Sequence, residues 1–535
     1  MRPEQLLEDL TEPQRQAVMH RDGPLLVLAG AGSGKTRVIT RRVAYLAATG
    51  VRPQQILAIT FTNKAADEMR QRIAALGAAG GATVGTFHWF CARLLRRYAD
   101  RAGLQPNFSI FDQTDRLRAI RQAVSQCELA SENWPPHRIE AIISNAKNAM
   151  LDPERFAEQR QEAEGRTIAR IYRQYQTILA QNNALDFDDL LMCVARLLGQ
   201  HQQLRDELED RYLYVLVDEY QDTNNAQYVI AHRLTLRRQN ICVTGDPDQS
   251  IYGWRGANLG NILEFERHYP QARVIRLEQN YRSTKRILRV AGRLISANVQ
   301  RKQKQLWTHN DEGPKVQVWA CDDAVDEARR VAAAIAEMHA DGRPLSDFAI
   351  FYRINAMTRT LEEALRERAL AYQIARGVEF YSRKEIKDAL AYLRVMVNPA
   401  DEVSLLRIIN TPPRGIGKTT VERLRAHAGQ TGRGLLEIIR CSGQIATLRT
   451  ASGRLKSFLE LLEGLMGLTS GRSVQEVLQQ VLERTGLERA VIDREGPDSD
   501  AAANLAELVT AAADYDAQHA DGSGSLQDWL AQVSL

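Results

Sequence analysis

An apolar run, PLLVLAG at residues 24–30, leads into AGAGSGKT at residues 29–36, and a helical pattern follows Gly34. This order of strand, glycine loop and helix limits the fold more than any other feature of the chain. Glycines let a backbone wrap closely, so that its N–H groups can cradle phosphates at a helix N-terminus. In this cradle, made of Ala29, Gly30, Ala31, Gly32, Ser33, Gly34, Lys35 and Thr36, the Lys35 ammonium can reach the terminal phosphates and Thr36 can ligate Mg²⁺. The first position of the usual pattern is Ala29 rather than glycine. The strand before it and the helix after it supply the context that the motif needs.

Three more runs, at residues 55–61, 212–217 and 240–244, are apolar and alternate with helical patterns such as residues 63–76. Strands without a polar face indicate a parallel sheet covered on both sides, so the fold class is α/β. Between residues 92 and 200 the strand signal disappears, and helices are expected at 115–129, 137–149, 167–181 and 187–198. A second α/β pattern begins after Tyr281, with strands expected at 315–320 and 347–352. Residues 380–535 again read as helical. The expected divisions are a first sheet domain at 1–91 and 201–280, a helical insertion at 92–200, the first part of a second sheet domain at 281–379, and a second helical insertion at 380–535.

Composition narrows the class further. At 535 residues the chain has room for roughly three to four domains. A net charge of +4 is too small to argue for nucleic acid by itself. No apolar run approaches the roughly 18 residues that cross a bilayer, and the first residues have no apolar signal core. The six cysteines are scattered without a CxxC pair, which disfavours a zinc site or disulfide framework and fits a reducing, cytoplasmic setting.

Two loops carry further chemistry. Asp218 and Glu219 end an apolar strand. One carboxylate can hold hydrated Mg²⁺ and the other can activate water. Alone, such a pair is as readily a solvated turn; beside a phosphate cradle the catalytic reading is favoured. GDPDQSIYGWRGA at residues 245–257 follows another strand. Its Gln249 amide can read a phosphate, while the Trp254 indole, five residues on, can stack on a base. A second GKT, at residues 417–419, follows two prolines and no strand, and reads as a turn before a helix that could grip a DNA phosphate.

Taken in order, AGAGSGKT, TFTNKAADEM (60–69), VGTFH (84–88), LDFDDLL (185–191), VDEYQDTN (217–224), GDPDQSIYGWRGA and LEQNYRST (277–284) resemble the motif set of the UvrD/Rep/PcrA group of superfamily 1 DNA helicases. The resemblance continues through residues 352–365, 380–394 and 412–417. It implies two P-loop RecA-like domains, each with a mainly helical insertion, that close on ATP and Mg²⁺. It further implies that Gln14 reads adenine, Arg37 lies beside the base or sugar, Tyr281 stacks on adenine, Arg282 acts as an arginine finger and Gln249 senses the γ-phosphate. Thr36 and Asp218 become the metal ligands, and Lys35, Asp218, Glu219, Gln249 and Arg282 the catalytic set.

The DNA track implied is Phe61, Thr62 and Asn63; Thr86, Phe87 and His88; Phe187; Tyr252, Trp254 and Arg255; and Arg353 and Asn355. The aromatic members could equally be core. His88 is expected to hydrogen-bond rather than bind metal, because no second His or Cys has ligand spacing. The implied activity is ATP-driven movement on single-stranded and partly duplex DNA, 3′ to 5′, in repair or replication, with DNA junctions and repair or replication proteins as partners and no membrane. Residues 395–535 lack the later Thr-x-His and Lys-Gly-Leu-Glu type segment and the last arginine motif of the family. The second RecA-like domain is therefore expected to be partial, and the chain to bind ATP but to unwind DNA poorly. The alternative from another class is a non-motor module whose ATP site gates DNA affinity.

Overall fold

In this computed structural model the described residues are 2–78, 80–253, 256–354, 357–374, 380–469, 471–497, 499–519 and 524–534. The strands are β1 (Leu25–Ala29), β2 (Ile56–Thr60), β3 (Thr83–Thr86), β4 (Ser109–Phe111), β5 (Ala184–Asp186), β6 (Tyr214–Val217), β7 (Ile241–Gly245) and β8 (Arg273–Leu277). Six of them form one sheet in the order β3-β2-β6-β7-β1-β8. Every pairing in it is parallel, with Leu26 opposite Val243 and Ile59 opposite Val217.

Alternation of side chains explains why these strands are apolar throughout. Leu26, Leu28, Leu57, Ile59, Val215 and Val217 enter a core on one face. Leu25, Val27, Ile56, Ala58, Tyr214 and Leu216 enter a second core on the other. Both faces are thus covered, as a parallel sheet requires. The four strands read from sequence are present as β1, β2, β6 and β7; β3 and the edge strand β8 are additional.

The helices expected in the first insertion occur at Gln113–Gln126, Pro136–Asn148, Ala163–Gln181 and Phe187–Gln200. They are joined by a short parallel pair, β4 with β5, that the sequence pattern did not signal. From Lys384 onward the described residues with regular structure are helical. Asn398 and Asp401 dock this region on the first insertion: Asn398 donates from Nδ2 to Ser109 Oγ at 2.9 Å, and Ser109 Oγ donates to Asp401 Oδ2 at 2.8 Å.

Compactness divides the chain into Met1–Asp311 with Lys384–Leu535, and Glu312–Arg383. This partition differs from the sequence boundaries at 281 and 380. Residues just after 280 are bonded to the phosphate loop, and those after Lys384 to the insertion. In Glu312–Arg383, helices Ala324–Ala340 and Thr358–Glu367 share a small core of Ala328, Ala332, Ala364, Leu365 and Leu370. The strands expected at 315–320 and 347–352 do not form. A strand is a property of a hydrogen-bonded pair, and neither run has such a neighbour among the described residues. Among the described residues no helix is long and apolar enough to cross a membrane.

Candidate nucleotide and nucleic-acid site

In an all-parallel sheet every strand ends at the same edge, and ligands bind beyond the carboxyl ends. Here that edge carries the loop after β1, the 61–63 segment after β2, Asp218 and Glu219 after β6, Asp246 to Gln249 after β7, and Tyr281 and Arg282 just past β8.

The phosphate loop is built by orienting its peptides. The carbonyl of Ala31 accepts from Asn280 Nδ2 at 2.6 Å, that of Gly32 from the Tyr281 backbone N–H at 3.0 Å, and that of Ser33 from Gln14 Nε2 at 3.0 Å. Three consecutive carbonyls are thus held by flanking groups. Gly32 and Gly34 have φ of +65° and +89°, which only glycine adopts without strain. A Cβ on Gly32 would lie 2.8 Å from the Arg282 Cβ, and one on Gly30 would lie 2.2 Å from Leu306. Glycine at these positions lets the loop pack directly against Leu306, Arg282 and Asn280, and the positive-φ turn leading into the N-terminus of helix Lys35–Ala48 fits a polyphosphate.

Lys35 opens helix Lys35–Ala48, and its Nζ donates to Glu219 Oε2 at 2.7 Å. Glu219 sits in the left-handed region at φ +51°, the bend that turns its carboxylate toward Lys35. Asp218 accepts from Thr244 Oγ1 at 2.5 Å. Burial, and then the neighbouring Glu219 carboxylate, push the Asp218 pKa up to about 6. The same two causes push Asp222 up to about 6. Buried carboxyls that repel one another in this way suit the charge of a divalent cation. Thr36 and Arg37 are half-buried in the first turn of that helix.

The buried amide of Gln221 connects these groups. Its Nε2 donates to Glu219 Oε2 at 3.0 Å and to Asp222 Oδ2 at 3.1 Å, and its Oε1 accepts from the Asp246 backbone N–H at 2.9 Å. Gln249 donates to Asp246 Oδ2 at 2.6 Å. Lys35, Glu219, Gln221, Asp246 and Gln249 therefore form one bonded chain across the strand ends. Tyr281 is 47% exposed and held beside the loop through its backbone, and its hydroxyl donates to Gln279 Oε1 at 3.1 Å. The Gln14 side chain also braces the protein: its Oε1 accepts from the Thr11 N–H at 3.2 Å and its Nε2 donates one N–H to the Ser33 carbonyl at 3.0 Å, which leaves a second donor and a second lone pair on the amide.

Asn280, Gln221, Lys304 and Leu306 are site residues that the sequence reading missed. Asn280 holds the Ala31 carbonyl and accepts from the backbone N–H groups of Arg282 and Ser283 at 2.9 and 2.7 Å. It lies inside a quoted motif, and a buried Asn next to a turn was the available signal. Lys304 and Leu306 had none.

The expected DNA track is brought together only in part. Phe61 and Tyr252 pair with ring centroids 5.1 Å apart, and His88 meets Phe187 edge to face at 5.7 Å. Burial lowers the His88 pKa to about 4, so its ring is neutral near pH 7. Thr62 and Thr86 cap the helices that follow them, each accepting an N–H at 3.2 Å, while Asn63 is exposed in the first turn after Thr62. Phe87 is a correction: it is 3% exposed in the core, so its ring cannot stack on a base. Arg353 is exposed in the Glu312–Arg383 unit. Trp254, Arg255 and Asn355 lie outside the described residues.

Comparison with known proteins agrees with this geometry. Residues 10–270 match the UvrD/REP helicase N-terminal domain, and residues 275–446 the UvrD-like helicase C-terminal domain. The ATP-dependent DNA helicase PcrA of Bacillus subtilis is 45% identical over 485 residues, which are 90% of this chain and 66% of that protein. The protein of the same name from Staphylococcus epidermidis is 40% identical over 535 residues, covering 99% of this chain and 73% of that protein. The chain thus spans about two thirds to three quarters of the length of these relatives. With these matches covering its parallel sheet, phosphate loop and paired carboxylates, the chain belongs to the UvrD-like family of ATP-dependent DNA helicases.

Proposed function

We propose that the chain hydrolyses ATP with Mg²⁺ and couples this to movement along single-stranded DNA and at junctions with duplex, 3′ to 5′, as a cytoplasmic enzyme of DNA repair or replication. The single observation that carries the reading is the bonded chain from Lys35 through Glu219 and Gln221 to Asp246 and Gln249. It joins the groups that bind phosphate to a loop whose Tyr252, three residues past Gln249, pairs with Phe61.

In this mechanism the loop N–H groups and Lys35 bind the β- and γ-phosphates. Thr36 and Asp218 would hold Mg²⁺, which supplies neutralising charge to those phosphates. As Lys35 turns to phosphate it leaves Glu219, and the freed carboxylate can accept a proton from the attacking water. Arg282 offsets charge on the γ-phosphate, Tyr281 stacks on the base, and Gln249 reports the γ-phosphate to the 245–253 loop. Phe61, Tyr252, His88 and Phe187 are the aromatic candidates for DNA.

ATP turnover by the purified chain, with and without single-stranded DNA, tests this together with Glu219→Gln. DNA should stimulate turnover, and Glu219→Gln should reduce it by about 10²–10⁴-fold, the range for a lost general base, while nucleotide binding survives. Strand displacement on substrates with a 3′ or a 5′ tail reads direction. DNA-independent turnover would sink the motor reading. ATP-dependent DNA affinity without turnover would favour a gated binding module.

A further inference from the structure

Lys304 is remote in sequence from every motif, yet its side chain is only 4% exposed. Its ammonium is bonded to Asp246 Oδ1 and, at 2.6 Å, to Asp248 Oδ2, which also accepts from Arg301 at 2.9 Å. Asp246 and Asp248 flank a proline in the tight turn Pro247–Gln249, where the Asp248 N–H donates to Asp246 Oδ1 at 3.0 Å. Two carboxylates this close repel unless cations stand between them. The other oxygen of Asp246 takes the Gln249 amide at 2.6 Å. One carboxylate is therefore held by Lys304 on one side and fixes Gln249 on the other.

The segment that carries Lys304 is anchored. Trp307 donates its backbone N–H to the Glu278 carbonyl at 3.0 Å, and Asn280 donates to the Trp307 carbonyl at 2.8 Å. Leu306 occupies the space that a Gly30 side chain would need. The ammonium is thus presented from a strap fixed beside the phosphate loop.

We propose that Lys304 is a positioning residue for Gln249, acting through Asp246, so that γ-phosphate recognition depends on a cation outside the helicase motifs. This rests on the reading of the loop as an ATP site. A brace that only stabilises the turn would affect all nucleotides alike. A residue that sets the Gln249 amide affects nucleotides with a γ-phosphate and leaves ADP alone.

The test compares binding of ADP and of the non-hydrolysable analogue AMP-PNP, both with Mg²⁺, to the full chain and to Lys304→Met, Lys304→Arg, Gln249→Ala and the Met/Ala double variant. Lys304→Met and Gln249→Ala should each lose about tenfold in preference for AMP-PNP over ADP, in line with one charge-assisted hydrogen bond. The double variant should lose no more, and Lys304→Arg should keep most of the preference. An unchanged ratio in Lys304→Met, or an equal weakening of both nucleotides, overturns the proposal. If the unmodified chain binds neither nucleotide, or Lys35→Ala binds them equally well, the ATP-site reading itself fails and takes the inference with it.

Discussion

Asp218 shows how a site can oppose the fold that holds it. Its carboxyl is buried beside Glu219, and its pKa stands at about 6 against an ordinary 3.8. A carboxyl that holds its proton more tightly when folded loses stability for the fold as pH rises through that interval. At pH 7 the ionised group costs the nucleotide-free protein on the order of 1–3 kcal/mol. Asp218→Asn removes the charge and keeps an oxygen for the Thr244 hydroxyl and the Glu219 N–H, which now meet Asp218 Oδ1. In chelator, the variant should melt a few degrees higher than the parent at pH 8, and the gap should close as pH falls below 6. Mg²⁺ and ATP should stabilise the parent and not the variant. Thermal melts across pH read all three effects; an equal or lower melting temperature for Asp218→Asn at pH 8 would refute the account.

Among the elements, the first insertion depends on buried charge to an unusual degree. Lys147 is fully buried, with its ammonium 2.7 Å from both Asp186 and Asp189. Asp186 also accepts from Tyr175 at 2.8 Å, and Arg116 lies 3.7 Å away. Burial alone would raise the Asp186 pKa, but Lys147 and Arg116 outweigh it and hold it well below the ordinary range. Asp189 is pushed up to about 6, by burial and then by Asp186. Breaking such a network from one side costs roughly 3–5 kcal/mol, because the partners stay buried without their counter-charge. Lys147→Met should therefore lower the melting temperature clearly while leaving nucleotide binding at room temperature intact. Adding Asp189→Asn should recover part of the loss, since it removes one of the stranded carboxylates. Calorimetry beside a nucleotide titration separates the outcomes; an unchanged melting temperature would mean that the network contributes nothing.

The same scale shows what the sequence could and could not reveal. β1, β2, β6 and β7 were legible because each is buried on both faces and so carries no polar alternation. β8 escaped notice because it is an edge strand with exposed arginines, RVIRL, and β4 and β5 because three residues are too few for a period. The phosphate loop and the paired carboxylates were legible as local strings. Lys304 was not, because it reaches Asp246 across 58 residues and long-range pairing leaves no mark on a single sequence. Gln14 was read by likeness to a family position, and its buried amide has a structural task that no string of residues would disclose.

At the level of the whole molecule, stability is unevenly distributed. The six-stranded sheet is packed on both faces by large side chains. Among its described residues the Glu312–Arg383 unit instead buries a core of three alanines and two leucines, while Val318 and Phe351 are 94% and 93% exposed. Hydrophobic stabilisation scales with the apolar area removed from water, at about 25 cal/mol per Å². Alanine contributes little of it, so this unit should open locally long before the sheet does. Proteolysis follows the open population when opening is fast. Brief trypsin treatment should therefore cut first between residues 312 and 383, at exposed sites such as Arg343 and Arg353, with mass spectrometry of the time course locating each cut. Fragments ending near those arginines should accumulate while the β1–β8 region stays whole. Early cleavage within residues 25–277 instead would place the weakest packing in the sheet domain, and the two-helix core would then be worth more than its side chains suggest.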